Sequence, residues 1–360
     1  MEPLKNQFNS EFTDTLADVF VRHISHFDRD KLHQLSSSRK DWKSLELTER
    51  MRIYSEALNS VLGGYYEDRL DIICKVAPSF SGLQGMIFPG FVELFGLNNE
   101  AASLKALKYL TEFSTSEFAI RPFILRNDAI IESHLLPWSK DKNYHVRRLA
   151  CEGVRPRLPW APQLPFLIKD PIRTLPIIDN LQKDNVLYVK KSVANNLNDI
   201  GKDHPDVLLS TVKSWDFKNE HSKWIAKHAC RTLLKSGNSE SLEIFGFRKP
   251  IKIKCEITSD TTEFNLGKVY HLDLIVESKH SDKQDVRIEY TVHYPRTNGN
   301  YYEKVFQIRE GVLEEGAVNR FKIKLDLEQK STRKLYAGEY KVEVKINGSV
   351  LAQLPFSVVS

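Results

Sequence analysis

The sequence predicts two architectures in one chain: an all-α solenoid of helical repeats, then an all-β sandwich. Three observations carry that expectation. The hydrophobic period is close to that of a helix up to about residue 247 and becomes two after Pro250. An apolar-then-alanine step recurs four times in the helical part. The chain has 360 residues, more than one ordinary core holds. The expected domains are a helical one over 1–247 and a strand-rich one over 250–360.

Taken in order, residues 101–110, 144–152, 187–200 and 222–235 place apolar side chains at helical intervals. Pro137, Gly153, Pro156, Pro159, Pro165, Pro171, Pro176, Gly201, Pro205 and Gly237 punctuate them. The recurring steps are Phe118-Ala119, Leu149-Ala150, Val193-Ala194 and His228-Ala229, with alanine intervals of 31, 44 and 35. That spacing is near the period of HEAT-type repeats, in which a small residue lets stacked helices approach closely.

Counting from each alanine, offsets of −2, +2 and +5 fall on one helix face. The face carries Glu117, Glu152 and Asp199 from three successive repeats, together with Arg121, Arg148, Arg155, Lys227 and Arg231. A solenoid would align them on one surface. Pro122, Gly153 and Pro156 are positioned to end or kink the helices concerned.

Beyond Pro250, alternation marks strands at 251–257, 271–276, 286–293, 321–327 and 340–346. Asn298-Gly299 and Asn347-Gly348 are hairpin turn signals between such runs. Roughly seven short strands in such a length fit an immunoglobulin-like sandwich. Lys252, Lys254, Lys322 and Lys324 alternate on strand faces, where they either blunt a sheet edge or meet a polyanion.

Composition excludes several classes. At 41% apolar and 28% charged the chain is globular. It has no apolar run of membrane-spanning length, and its first residues lack the pattern of a secretory signal. Cys74, Cys151, Cys230 and Cys255 are scattered, which argues against a disulfide framework or zinc ribbon and fits a reducing cytosol. No phosphate-binding glycine loop, nucleophile elbow or histidine–carboxylate metal motif occurs, so no metal or organic cofactor is expected.

The net charge of +5 is unevenly spread. Residues 1–100 balance at −4, residues 101–250 at +8 and residues 251–360 at +1. The middle third is therefore where a polyanion would bind. Arg148, Arg155, Arg157, Lys190, Lys191, Lys227 and Arg231 are the candidate phosphate contacts, with Asn195 as a further donor. Each also fits an ordinary solvated surface.

The stretch 146–161 reads Val-Arg-Arg-Leu-Ala-Cys-Glu-Gly-Val-Arg-Pro-Arg-Leu-Pro-Trp-Ala. It resembles the signature of the AlkC family of alkylpurine DNA glycosylases, and segments 188–205 and 224–234 resemble the HEAT-like repeat superfamily that also includes AlkD. The resemblance covers roughly residues 1–247, and some AlkC proteins carry a C-terminal immunoglobulin-like domain. It implies hydrolysis of the N-glycosidic bond of cationic methylated bases in double-stranded DNA, chiefly 3-methyladenine and also 3-methylcytosine, without base flipping. Carried over by position, Glu152 and Asp199 match the family's active-site carboxylates, Trp160 its aromatic residue and Glu117 an additional acid. A monomer that leaves the DNA strand intact is expected.

The chemistry asks for such residues. A cationic base is already a good leaving group, so no strong general acid is needed. What remains is to stabilise an oxocarbenium-like sugar and to position a water, both tasks for carboxylates. An indole face stabilises a nearby cation. Rival readings stay open for each residue. Asp199 suits a helix cap, Glu152 suits an ion pair with Arg148 or Arg155, and Trp160 suits packing. Two other function classes fit the same pattern: a catalytically silent DNA-binding repeat module and a protein-binding scaffold.

Overall fold

The computed structural model describes residues 2–250, 252–330 and 333–359. Ile251, which opens the first expected strand run, lies outside the described residues. The chain divides into two compact units, Met1–Leu208 with Ser214–Ala229, and Leu209–Lys213 with Cys230–Ser360. Among the described residues no helix is long and apolar enough to cross a membrane.

The first unit is helical. The expected helices appear as Glu100–Leu110, Tyr144–Gly153, Leu187–Asp203 and Glu220–Ala229. The last three pack in succession. Ala150, Ala194 and Ala229 are completely buried in that stack, as close helix approach requires. Side-chain amides reinforce it: Asn196 Nδ2 donates to the Cys151 carbonyl and Asn198 Nδ2 to that of Ala229, each at 2.9 Å. Upstream lie the helices Leu47–Val61, Tyr66–Val76 and Ile87–Phe95, packed around Tyr54, Phe88 and Phe91.

Two helical expectations are corrected. Phe118-Ala119 is not inside a helix but on the turn before the short helix Arg121–Arg126. Pro122 is the reason: with no N–H to give to the Phe118 carbonyl, it is accommodated only in a first turn. The run 222–235 is two helices, Glu220–Ala229 and Arg231–Ser236, interrupted at Cys230. All four cysteines are free thiols, and burial pushes Cys151 and Cys230 up to about 12 and Cys74 and Cys255 up to about 11.

The second unit is built on two sheets. The strands are β1 (Ile253–Thr258), β2 (Glu263–Asn265), β3 (Val269–Ser278), β4 (Gln284–Pro295), β5 (Tyr301–Leu313), β6 (Val318–Asp326), β7 (Gly338–Ile346) and β8 (Ser349–Val359). One sheet has the order β1-β3-β6 and the other β2-β8-β7-β4-β5. Between them lies an apolar core that includes Phe264, Leu274, Ile288, Val342 and Phe356. Asn347 (φ 48°) and Gly348 (φ 76°) form the β7–β8 turn, where two consecutive positive φ values favour this residue pair. Lys254 lies on β1, and Lys322 and Lys324 lie on β6, the two edge strands of the smaller sheet. Eight strands stand among the described residues where roughly seven were expected. The five alternating runs fall in β1, β3, β4, β6 and β7; β5 and β8 were marked by none, and the three-residue β2 is too short to show an alternation.

Candidate active site

The helix Tyr144–Gly153 ends where Gly153 and Pro156 stop it, and the chain turns into an irregular segment through Trp160. Arg121, completely buried, fastens that segment. Its Nε donates to the Pro162 carbonyl at 2.7 Å, and its Nη1 to those of Gly153 at 2.9 Å and Arg155 at 2.8 Å. The Gly153 carbonyl terminates the helix, where no backbone partner is available. Burial, followed by repulsion from Arg155, pulls the Arg121 guanidinium down to about 10. Arg121 therefore acts as a clamp on the loop, a role that the charge pattern alone did not separate from its neighbours.

Glu117, Glu152 and Asp199 come from three separate segments and join one ionic chain. Arg148 Nη1 stands 2.7 Å from Glu117 Oε2 and donates to Thr115 Oγ1 at 2.7 Å. Its Nη2 lies 3.6 Å from Glu152 Oε1. Arg155 Nη1 donates to the same Glu152 oxygen at 2.7 Å, while its Nη2 lies 2.8 Å from Asp199 Oδ2. Ser192 Oγ donates to Glu152 Oε2 at 2.6 Å, and Lys202 Nζ to Asp199 Oδ1 at 2.9 Å. The Arg148 guanidinium also rests over the Tyr188 ring, 4.7 Å from its centroid.

Glu152 and Asp199 therefore flank a single guanidinium. They do not face open solvent, since Glu117, Glu152 and Asp199 are 4%, 5% and 2% exposed. Three carboxylates meet three cations, Arg148, Arg155 and Lys202, so the chain is self-neutralising. Burial alone would lower both arginines. The pull of Glu117 and Glu152 on Arg148, and of Glu152 and Asp199 on Arg155, outweighs it and holds both above their ordinary value. These two side chains, which the charge pattern offered as phosphate contacts, have their donors committed to the carboxylates.

Trp160 is the opposite case. Its indole is 81% exposed, and its φ of 65° lies in the left-handed region. That conformation costs a non-glycine residue roughly 1–2 kcal/mol. A large apolar side chain is thus held outward at a backbone cost. Trp160 also borders a cleft of about 240 Å³, on whose wall lies Thr115, the residue bonded to Arg148.

The other candidates are more peripheral. Arg157 forms a two-pronged pair with Asp203, both contacts at 2.9 Å. Lys190 Nζ lies over the Trp224 ring, 5.2 Å from its centroid, and Lys191 is exposed. Asn195 and Lys227 are half-buried on the first unit, whereas Arg231 belongs to the second. Among the described residues no cluster of His, Cys, Asp and Glu could hold a metal ion.

Comparison with known proteins bears on this arrangement. A family described as "DNA alkylation repair enzyme" matches residues 110–233, the span that contains Glu117, Glu152, Trp160 and Asp199. A second, "Uncharacterised protein YhaZ, C-terminal Ig-like domain", matches residues 254–360. The Uncharacterized protein YhaZ of Bacillus subtilis (strain 168) is 40% identical over 363 residues, covering 99% of this chain and all of that one. The Pseudomonas fluorescens alkylpurine DNA glycosylase AlkC, solved bound to DNA containing an abasic site analog, superposes with a TM-score of 0.94 at 34% identity. It is covered over its whole length, as is this chain. With a helical repeat unit, an immunoglobulin-like unit and end-to-end similarity of both, the chain belongs to the AlkC family of alkylpurine DNA glycosylases.

Proposed function

We propose that the protein hydrolyses the N-glycosidic bond of cationic alkylated bases in double-stranded DNA, with 3-methyladenine as the principal lesion and 3-methylcytosine as a second. The observation that carries the reading is the convergence of Glu152 and Asp199 on one guanidinium, together with a strained and exposed Trp160 that lines the same cleft as Thr115, the residue bonded to Arg148. In this reading Glu152 and Asp199 face the sugar. They stabilise positive charge as it develops at C1′, and one of them takes a proton from the attacking water. The C1′–N bond breaks with its electron pair going to the base, which leaves neutral, and water oxygen bonds to C1′. Trp160 offers its π face to the cationic lesion, and Glu117 extends the negative field.

The self-neutralising chain fits this task. In the free protein the arginines hold the carboxylates in place. A phosphate or a cationic base competes for the same partners on binding. The reaction leaves an abasic site and an uncut strand, works on the base without flipping it into a deep pocket, and needs no cofactor. The protein acts as a monomer in the cytoplasm, at the nucleoid.

The test is release of 3-methyladenine from methylated DNA by the full chain. Expected is single-turnover release by the parent, with affinity for DNA falling steeply as salt rises, because phosphate contacts release counterions. No release of any methylated base, with a flat salt response, would favour the protein-scaffold alternative. Steep salt dependence without release would favour a silent DNA-binding module.

A further inference from the structure

We propose that the cleft beside Trp160 is a receiving site for the excised base, with a methylated adenine as its occupant; this rests on the glycosylase reading above. The cleft has a volume of about 240 Å³. Pockets for drug-sized ligands run from roughly 300 to 1,000 Å³, so this one suits a single heterocycle and not a nucleoside with its sugar. Its walls come from the helices Leu47–Val61 and Ile87–Phe95 and from the segments that carry Thr115 and Trp160. Met51, Leu83, Met86, Pro89, Leu94 and Phe118 give it an apolar lining suited to a flat aromatic ring.

Into this lining comes one carboxyl group, that of Glu93. Glu93 has no hydrogen bond or ion pair among the described residues. Arg52 also borders the cleft, but its guanidinium is taken by Glu56 at 2.8 Å. Burial raises the Glu93 carboxyl above its ordinary value, and Arg52 only partly offsets this. A carboxyl of that kind is an acceptor when ionised and both donor and acceptor when protonated. Methylation of adenine at N3 leaves the N1 and 6-amino edge free, and that edge offers one acceptor and one donor side by side. Protonated, the carboxyl of Glu93 complements it at two points; ionised, it accepts from the 6-amino group alone.

Two residues join the cleft to the reacting centre. Trp160 stands at its rim, and Thr115 accepts the hydrogen bond from Arg148. A base that has just lost its sugar has a sheltered aromatic surface at hand on leaving.

The experiment titrates free 3-methyladenine into full-length protein bound to DNA that contains an abasic-site analogue. Two variants are compared with the parent: Glu93→Leu, which offers the ring neither a donor nor an acceptor, and Leu83→Trp, which fills a half-exposed part of the cleft. Expected is saturable binding by the parent, weakened about tenfold in Glu93→Leu and abolished in Leu83→Trp. Both variants should retain parental single-turnover release of 3-methyladenine, since neither touches the carboxylate chain. Absence of binding by the parent, or equal binding by all three, overturns the assignment. Release by the parent without base binding sinks the cleft alone, whereas no release from methylated DNA sinks the glycosylase reading with it.

Discussion

Both units bury arginine against carboxylates, and the contrast between the two cases separates charge pairing that sheet register dictates from charge pairing that it does not. In the sandwich, Arg287 on β4 pairs with Glu289 of its own strand and Glu310 of β5. Arg287 and Glu310 are register partners, as are His293 and Glu303. Sheet geometry therefore accounts for these contacts: residues directly opposite on neighbouring strands meet whatever the protein does. In the helical unit nothing comparable dictates the meeting of Glu117, Glu152 and Asp199. They lie 35 and 47 residues apart in sequence and on separate segments; Arg148 and Arg155 are sequence neighbours of Glu152, but only the stacking of repeats brings Glu117 and Asp199 to them. The helical set is also flanked by a strained, exposed tryptophan and a cleft. Charge whose pairing is not enforced by register, next to strain and open space, is the better candidate for chemistry.

The strongest way to break this contrast is to neutralise one carboxylate in each unit. Asp199→Asn or Glu152→Gln should lower single-turnover base release by about 10²–10⁴ while DNA binding survives. Glu289→Gln should leave release unchanged. If the sandwich variant lost activity as steeply as Asp199→Asn, the division between the two charge sets would not stand.

Stability sharpens the same contrast from the other side. Arg155→Met leaves Glu152 and Asp199 without their shared partner, and Arg287→Met does the same to Glu289 and Glu310. Each should destabilise its own unit by about 3–5 kcal/mol in denaturant unfolding. Equal damage to folding with unequal damage to catalysis is the expected signature. A stable Arg155→Met protein would show that the guanidinium does not bridge the two acids in solution.

How much of this was legible in the sequence follows from the range of the forces involved. Hydrophobic period is local, so the change of architecture near 250 could be read directly, as could the offsets that put Glu152 and Asp199 on one face. The Asn347-Gly348 turn was legible because two positive φ values in a row leave few residue choices. Long-range geometry was not. Nothing near Arg121 in sequence indicates that it holds carbonyls 32 to 41 residues away. Arg155 lies beyond the end of its helix, so the helical offset that placed it beside Glu152 and Asp199 gave the right neighbours through a backbone that is not helical there. Glu93 sits in a segment that carried no motif, and its place in the cleft depends on helices that meet only in three dimensions.

A smaller effect tests the strain at Trp160. Trp160→Ala keeps a Cβ in the left-handed region, whereas Trp160→Gly removes it. The glycine variant should be more stable than the alanine variant by about 1 kcal/mol, and both should lose base release together. Equal stability would mean that the loop relaxes once the indole is gone.

The smallest expected effect concerns DNA binding at the edge of the site. Arg157 and Lys191 are both candidate phosphate contacts, but their surroundings differ. Arg157 is occupied by both oxygens of Asp203, which sits below the usual carboxylate range chiefly because of that bond. Lys191 is exposed on the helix Leu187–Asp203. A phosphate approaching Arg157 must displace a carboxylate, and Arg157→Ala frees that carboxylate to repel DNA. Lys191 presents only its hydration shell. Lys191→Ala should reduce the slope of log affinity against log salt by about one counterion. Arg157→Ala should lower affinity at low salt with the slope unchanged, because a pre-neutralised side chain releases no counterion when it exchanges partners. Identical slope changes in the two variants would put Arg157 among the direct phosphate contacts and remove the distinction between a paired and an unpaired cation on this surface.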